Sequence, residues 1–373
     1  MRRITVSERP GWKTLIENQG CGWHSLDDIC SWNETVAYVL TSQEVEELKE
    51  RAEEVHQMYL KAVAHVVSEA LWQRLGISAD SVDILRSSYE RGEWSLTGRF
   101  DFMMDAAGEM KLIEYNPDAA LTLVETMVIQ HEWRKAHMPG MKQWNDLRQS
   151  LVEAWRGSGF QHVHCAWRPR HIEVAGTAHL MADIIREAGL KATLMALHCL
   201  GWNPHTQAFV DMDDQEVECC WKVYPWDWML AERFAPHVRG ARCRFVEPAW
   251  RHLLSSKAML AVLWELFPDH PALLPCFEAD ELRSGSWVSK PIFGREGHNI
   301  VIRRESVVLQ QTGGEFTGQR QIHQRMAESP RFDGYVPQFG VWMVADKAVA
   351  LGMREELNHI IEGHSLFTPH VVE

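Results

Sequence analysis

Apolar residues at Val45, Leu48, Ala52, Val55, Tyr59, Ala62 and Val66 alternate spacings of three and four, the mark of one long amphipathic helix. Thr41-Ser42-Gln43-Glu44 stands before them as a capping box, with Thr at the N-cap and Glu at N3. The Glu-rich opposite face reads as solvated. Two apolar runs follow, Phe100–Met104 and Met110–Tyr115, around the turn-rich Asp105-Ala106-Ala107-Gly108-Glu109, and they predict a β-hairpin. After Pro117-Asp118-Ala119-Ala120 a helix is expected from Leu121 through Trp133. Its free N-terminal N–H groups would favour anions. Gln161–Trp167 reads as a buried strand, and Ile172–Ala188 as a helix stopped by Gly189. Ala192–Leu197, Ala208–Met212 and Val217–Val223 are further strand candidates, so this stretch predicts a small α/β unit with a parallel sheet. It lacks GxGxxG, and no dinucleotide is assigned to it. Pro248–Phe267 is expected to be helical, with Lys257 near its start. A strand then delivers Lys290, and a turn bounded by Gly294 and Gly297 presents Arg295 and Glu296 before a strand at Ile300–Arg303.

The hairpin carries the first chemistry. If Ala106–Glu109 form the loop, Asp105 pairs with Met110, Asp101 lies across from Glu114, and Arg99 across from Asn116. Residues two apart share a strand face, so these four side chains project together. Two carboxylates and a carboxamide on one face repel and lose water unless a cation joins them. Hard oxygen donors of this kind suit Mg²⁺. The alternative is a solvated face with an Arg–Asp pair, since alternating charges are common on sheet surfaces. The glycine-bounded turn lets backbone amides approach phosphate, with Lys and Arg adding charge. It is not a Walker A sequence, and a basic turn between strands is often only a turn.

Length and composition narrow the classes. A chain of 373 residues is long enough for two or three structural units. A net charge of −13 argues against a nucleic-acid protein and is compatible with cationic ligands, polyamines included. No apolar run approaches the ~20 residues that span a bilayer, and the start has no apolar signal region, so no membrane partner is expected. The eight cysteines show no CxxC spacing and suit a reducing, cytoplasmic setting. The 19 histidines form no HExxH, which argues against zinc.

The order of five motifs resembles a known family, the glutathionylspermidine synthase C-terminal type, a circularly permuted branch of the ATP-grasp ligases. The motifs are RFDF…EYN (Arg99–Asn116), YPWDWM (Tyr224–Met229), EPAWRHLLSSKAMLAVLWELFP (Glu247–Pro268), SKPIFGREGHNI (Ser289–Ile300) and MREE…FTPHVV (Met353–Val372). The resemblance implies an α/β (α+β) fold of ATP-grasp architecture with a small Rossmann-like pre-ATP-grasp unit. It implies a synthetase core from 1–155 and 330–373, the pre-ATP-grasp unit at 160–245, and a lid region at 246–329. Asp101, Glu114 and Asn116 match the family's Mg²⁺ ligands, and Glu296 stands where related glutathione synthetases carry another. Two ions are implied. Lys257 and Lys290 match lysines that hold ATP phosphates, with Gly294 and Gly297 framing the phosphate turn. Gln324 would face the adenine edge, although His323 replaces the usual tyrosine before it. Arg99, Arg295 and Arg354 match arginines that engage the substrate carboxylate and the developing acyl phosphate; otherwise Arg354 is a surface partner of Glu355 or Glu356. Glu173 resembles an acidic substrate-binding position.

The resemblance therefore implies an ATP- and Mg²⁺-dependent ligase acting on a small acid and an amine. Bifunctional members add an N-terminal cysteine amidase, for which this chain has no room, so Cys21 and Cys30 are not its nucleophile. Family members place serines after the metal-binding asparagine to bind glutathione. Here the run is Asn116-Pro117-Asp118-Ala119-Ala120-Leu121, and a different acid is expected. Two rival readings stand: an ATP-binding sensor or scaffold without turnover, and a hydrolase that uses the carboxylates on a metal-bound water. The second leaves Lys257, Lys290 and the turn unexplained.

Overall fold

The computed structural model describes residues 1–26, 29–169, 171–281 and 283–373. The capping box forms: Thr41 Oγ1 accepts from Glu44 N at 3.1 Å, and the Glu44 carboxylate accepts from Thr41 N at 2.8 Å. These bonds satisfy orphan donors at the start of the helix Ser42–Ser68. Its buried stripe, including Leu48, Val55, Tyr59 and Val66, packs on the apolar face of the hairpin. There the Tyr59 ring lies 5.6 Å from Phe100 and 5.1 Å from Tyr115. With one hairpin face sealed by aromatic packing, Arg99, Asp101, Glu114 and Asn116 are turned to the other.

The hairpin strands are Thr97–Met104 and Met110–Asn116. They form one side of an antiparallel five-stranded sheet, continued by Val336–Val344, Lys347–Glu356 and Leu366–Thr368. A second antiparallel sheet runs in the order Cys276–Phe277, Gln321–Arg325, Ser286–Pro291, Val301–Arg304 and Val307–Gln311. A third is parallel, ordered Arg244–Val246, Cys219–Val223, His162–Trp167 and Lys191–Ala196, with the helix Ile172–Glu187 connecting its last two strands. The molecule is thus a mixed α/β protein with several sheets. All eight cysteines are free, and no helix among the described residues is long and apolar enough to cross a membrane.

Several elements depart from the sequence expectation. Met104, not Asp105, pairs with Met110, because Asp105 Oδ1 accepts from the N–H groups of Ala107 and Glu109 and joins the loop. A bulge at Ile113 absorbs the extra residue, so Asp101 still faces Glu114 and Arg99 still faces Asn116. Pro248–Phe267 is not one helix. A 3₁₀ turn at Ala249–Arg251 and a short helix at His252–Ser255 end at Ser256, whose backbone is extended (φ −69°, ψ 121°). The helix Met259–Leu266 begins beyond it, and Lys257 N donates to Ile292 O at 2.8 Å across the break. Helix propensity loses here to a tertiary bond. The helix expected from Leu121 starts at Leu123 and contains a π turn, Glu125–Ile129, before Gln130–His137. Ala208–Val210 leaves the parallel sheet to pair with Gly201–Asn203, and the fourth parallel strand is Arg244–Val246.

Candidate active site

A cleft opens between the two antiparallel sheets. Met103, Ile113 and Glu114 of the hairpin line one wall; Val288, Lys290, Ile302 and Gln324 line the other, and Gly294–His298 with Ile360 and Ile361 close it. Its lining combines apolar side chains such as Met103, Ile113, Val288 and Ile302 with the charged Glu114, Lys257, Lys290 and Arg295.

The charged groups around Glu114 are built from the hairpin outward. Arg99 donates Nε to Asp101 Oδ1 at 2.6 Å and Nη2 to Oδ2 at 2.9 Å, and its Nη1 reaches Leu121 O at 2.6 Å. Asn116 Nδ2 donates to Asp101 Oδ2 at 3.1 Å and to Glu114 Oε1 at 3.3 Å. Lys257 Nζ sits 2.9 Å from Glu114 Oε2 and donates to Gly294 O at 2.7 Å. Burial raises the Glu114 carboxyl pKa, but Lys257 and Lys290 together overcome that and hold it at about 2. Lys290 donates to Gln324 Oε1 at 2.7 Å and to Ile113 O at 3.1 Å, while Gln324 Nε2 donates to Leu112 O at 2.9 Å. Burial pushes the Lys290 ammonium down to about 8, against the opposing pull of Glu114. Asp101 is raised by burial, with Arg99 opposing.

This donor set fits a hard divalent ion. Two carboxylates and a carboxamide converge, balanced here by Arg99 at Asp101 and by Lys257 at Glu114. A flip of the Asn116 amide would turn its oxygen to the same point. Among the described residues no three His, Cys, Asp or Glu side chains are grouped to hold a metal, so the cluster stands at two carboxylates plus Asn116. Glu296 is not brought into it; the side chain is exposed in the turn, beside Gly363.

The turn is tied at its far end, where Thr312 Oγ1 donates to Gly297 O at 2.5 Å. Gly297 has φ 73°, and a Cβ there would lie 2.6 Å from Ile361 O, so glycine is required. Arg295 pairs with Asp227 and lies 5.1 Å from the Trp228 ring centroid. Arg354 donates to Glu362 O rather than to Glu355 or Glu356. Burial and Arg99 lower its pKa, while Asp101, Glu173 and Glu125 draw it up. Glu173 Oε1 accepts from Thr122 N at 3.3 Å, and burial with neighbouring Glu125 raises its carboxyl to about 8.

Sequence reasoning missed three groups here. Glu247 accepts from Leu96 N at 2.8 Å and Thr97 N at 2.9 Å, and Arg251 donates to Tyr115 Oη at 2.8 Å and Thr97 O at 3.0 Å. Together they clamp the root of the hairpin, which explains two positions of the EPAWR motif. Glu125 is buried on the π turn, takes Trp23 Nε1 at 2.6 Å, and leaves Oε2 without a partner among the described residues. Its signal was a carboxylate on the inward stripe of an apolar segment. Asp118 is sealed by Lys222 Nζ at 2.8 Å and Trp226 N at 2.6 Å. That buried link ties the loop after Asn116 to the YPWDWM segment and so to Asp227.

Comparison with known proteins gives this geometry a lineage. The model of the family described as glutathionylspermidine synthase preATP-grasp matches residues 3–373. The chain belongs to that family. A Haemophilus influenzae protein provisionally named an acid–amine ligase is 32% identical to it, over 99% of both chains. The bifunctional glutathionylspermidine synthetase/amidase of Escherichia coli is 27% identical over 90% of this chain, which spans 59% of that longer relative. In structure, the apo form of a glutathione synthetase-like effector from Globodera pallida superposes with a TM-score of 0.60 at 10% identity, over 99% of this chain and all of that one. That likeness concerns the fold alone.

Proposed function

We propose that the chain is an ATP- and Mg²⁺-dependent ligase that joins a carboxylic acid, a peptide or an amino acid, to an amine through an acyl phosphate. The observation that carries this reading is the gathering of Lys257 and Lys290, from separate segments, in the cleft beside Glu114, the first in contact with its carboxylate and the second acting on it through its charge. Asp101, Glu114 and Asn116 would hold Mg²⁺, and Glu296 would join them only if the turn closes further. Bound there, the metal supplies charge neutralisation at the phosphates.

Phosphoryl transfer needs positioning and charge neutralisation more than a covalent protein group. Lys257 and Lys290 grip the phosphates, and Gln324 fixes the Lys290 ammonium. The acid's oxygen displaces ADP from the γ-phosphorus, and the amine then displaces phosphate from the acyl carbon. Arg99, Arg295 and Arg354 surround the place where the acid's charge develops, and Arg354 serves the tetrahedral centre as an oxyanion donor. We read the architecture as a permuted ATP-grasp fold: the hairpin and the strand of Arg354 in one core sheet, 160–245 as the Rossmann-like pre-ATP-grasp unit, and 246–329 as the lid. Asp118, locked by Lys222, is not offered to a substrate, and Ala119 and Ala120 lack hydroxyls; both favour an acid other than glutathione. The test is ADP release across a panel of acid–amine pairs. ADP formed in step with amide supports the ligase. ATP bound without turnover would leave a sensor, and hydrolysis indifferent to ATP would leave a hydrolase.

A further inference from the structure

One position of the EPAWRHLLSSK stretch has no part in the reaction above and an unusual setting. His252 is buried, 4% exposed, and its Nδ1 has no hydrogen-bond partner among the described residues. A buried ring nitrogen left without a partner costs stability, and leucine or phenylalanine would fill the place without that loss. Burial holds the His252 imidazolium down at about 4, against the pull of Asp227 and Asp118, so the ring is neutral near pH 7. What the ring touches is Phe293. The two planes lie 15° apart with centroids separated by 4.9 Å, an aromatic stack.

Phe293 stands at the entrance of the glycine-bounded turn, and residues 252–257 hold three successive residues there. Lys257 N donates to Ile292 O at 2.8 Å, the His252 ring lies on Phe293, and Lys257 Nζ donates to Gly294 O at 2.7 Å. The extended backbone of Ser256 lets one short segment present both side chains to the same entrance. Of the two side-chain ties, that of Lys257 is made by the ammonium that would also serve the phosphates. The stack uses no group that a phosphate would claim. A turn whose entrance is fixed before the ligand arrives loses less freedom on binding.

We propose that His252 is a positioning residue: stacked on Phe293, it sets the entrance of the phosphate turn and so where Gly294 to Gly297 meet the nucleotide. Its part in nucleotide binding rests on the ligase reading, whereas its hold on the turn is open to measurement in the free protein.

The experiment compares the full chain with its variants. His252→Leu removes the ring together with its unpartnered nitrogen, Phe293→Leu removes the other ring, and His252→Phe keeps a stack. Urea denaturation should leave the midpoints of both His252 variants near that of the wild type. Hydrogen exchange of the free chain reads the turn through the amides of Gly294 and His298, which donate to Pro291 O at 3.1 Å and Arg295 O at 2.9 Å. Both should exchange about tenfold faster in His252→Leu and in Phe293→Leu, and at the wild-type rate in His252→Phe. In calorimetry with Mg²⁺ and a non-hydrolysable ATP analogue, each leucine variant should bind about tenfold more weakly, and the double variant no more weakly than either. His252→Phe should bind like the wild type. Unchanged exchange, unchanged affinity, failure of His252→Phe to restore both, or faster exchange only in step with a lower denaturation midpoint overturns the positioning role. Faster exchange in the leucine variants, with no analogue bound by the wild type, would count against the ligase reading alone.

Discussion

Arg354 and Glu355 are neighbours on one strand, and their side chains point to opposite faces with opposite fates. Glu355 is fully buried and accepts from Arg3 Nε and Nη2 at 2.9 Å each, Asn33 Nδ2 at 2.8 Å and Tyr38 Oη at 2.6 Å. Every oxygen is engaged by a donor fixed in the N-terminal segment. On the other face, Arg354 joins a set of the same ingredients, carboxylates with an arginine and an asparagine. There Glu114 is compensated by lysines on separate segments and Asp101 by Arg99, Arg354 bonds a loop carbonyl, and Glu125 keeps a buried oxygen without a partner among the described residues. A closed network specifies a fold, whereas one balanced by exchangeable cations is prepared for a ligand. Burial alone therefore does not separate structural from functional charge; the ease with which the partners could be replaced does.

The largest effect should come from breaking the closed face. Glu355→Ala removes the acceptor shared by Arg3, Asn33 and Tyr38, leaves Arg3 with the exposed Asp333 carboxylate, and should cost about 3–5 kcal/mol of stability, read by urea denaturation. A loss below about 1 kcal/mol would show that the network contributes little. Next is the open face: Glu114→Gln keeps the shape and removes the charge. It should lower Mg²⁺-dependent ADP release by about 10²–10³ while the denaturation midpoint stays near that of the wild type. Near-normal turnover in a folded variant would remove Glu114 from the site.

A smaller effect concerns pH. The free enzyme's Lys290 loses its proton through about pH 8, and bound phosphate would raise that value, so nucleotide binding should take up a proton above pH 8. The apparent KM for ATP should then rise by about tenfold per pH unit on that limb, and Lys290→Arg should move the limb upward. Burying Lys290 also carries a stability cost, complete below pH 8 and fading as pH approaches its ordinary 10.5. A flat KM from pH 7 to 9.5 would contradict the assignment. The smallest expected change is in hydrogen exchange across 293–299. The bonds of Gly294 and Gly297 already tie this turn, so an ATP analogue with Mg²⁺ should add protection mainly at Arg295 and Glu296. Identical exchange in both states would count against a closing turn.

Much of the open face was legible because it obeys local rules. The capping box and the heptad-like stripe fix the long helix, and strand alternation turns Arg99, Asp101, Glu114 and Asn116 to one side. What the sequence concealed is tertiary. No local pattern announces that Ser256 breaks a helix so that Lys257 can meet Ile292 O, or that Asp105 joins its loop and the strand bulges at Ile113. The clamp of Glu247 and Arg251 on the hairpin root needs partners more than 100 residues away, as their separations of 151 and 154 from Leu96 and Thr97 show. Glu296 was placed among the ligands on motif position alone, and the described turn leaves it outside them.

The bulge at Ile113 also has a practical consequence for anyone who wishes to watch this enzyme work. Because it takes up the mismatch between loop and strand, the spacing of the loop is decoupled from the register of the ligands. Ala106, Ala107 and Gly108 are exposed, and the hydrogen bonds that shape their turn come from Asp105 rather than from the cleft. An inserted residue or a fluorescent label at this tip should be accommodated there, leaving Asp101 opposite Glu114. The hairpin thus offers an attachment point on the very strands that carry the site, a place to mount a reporter without retuning what it reports on.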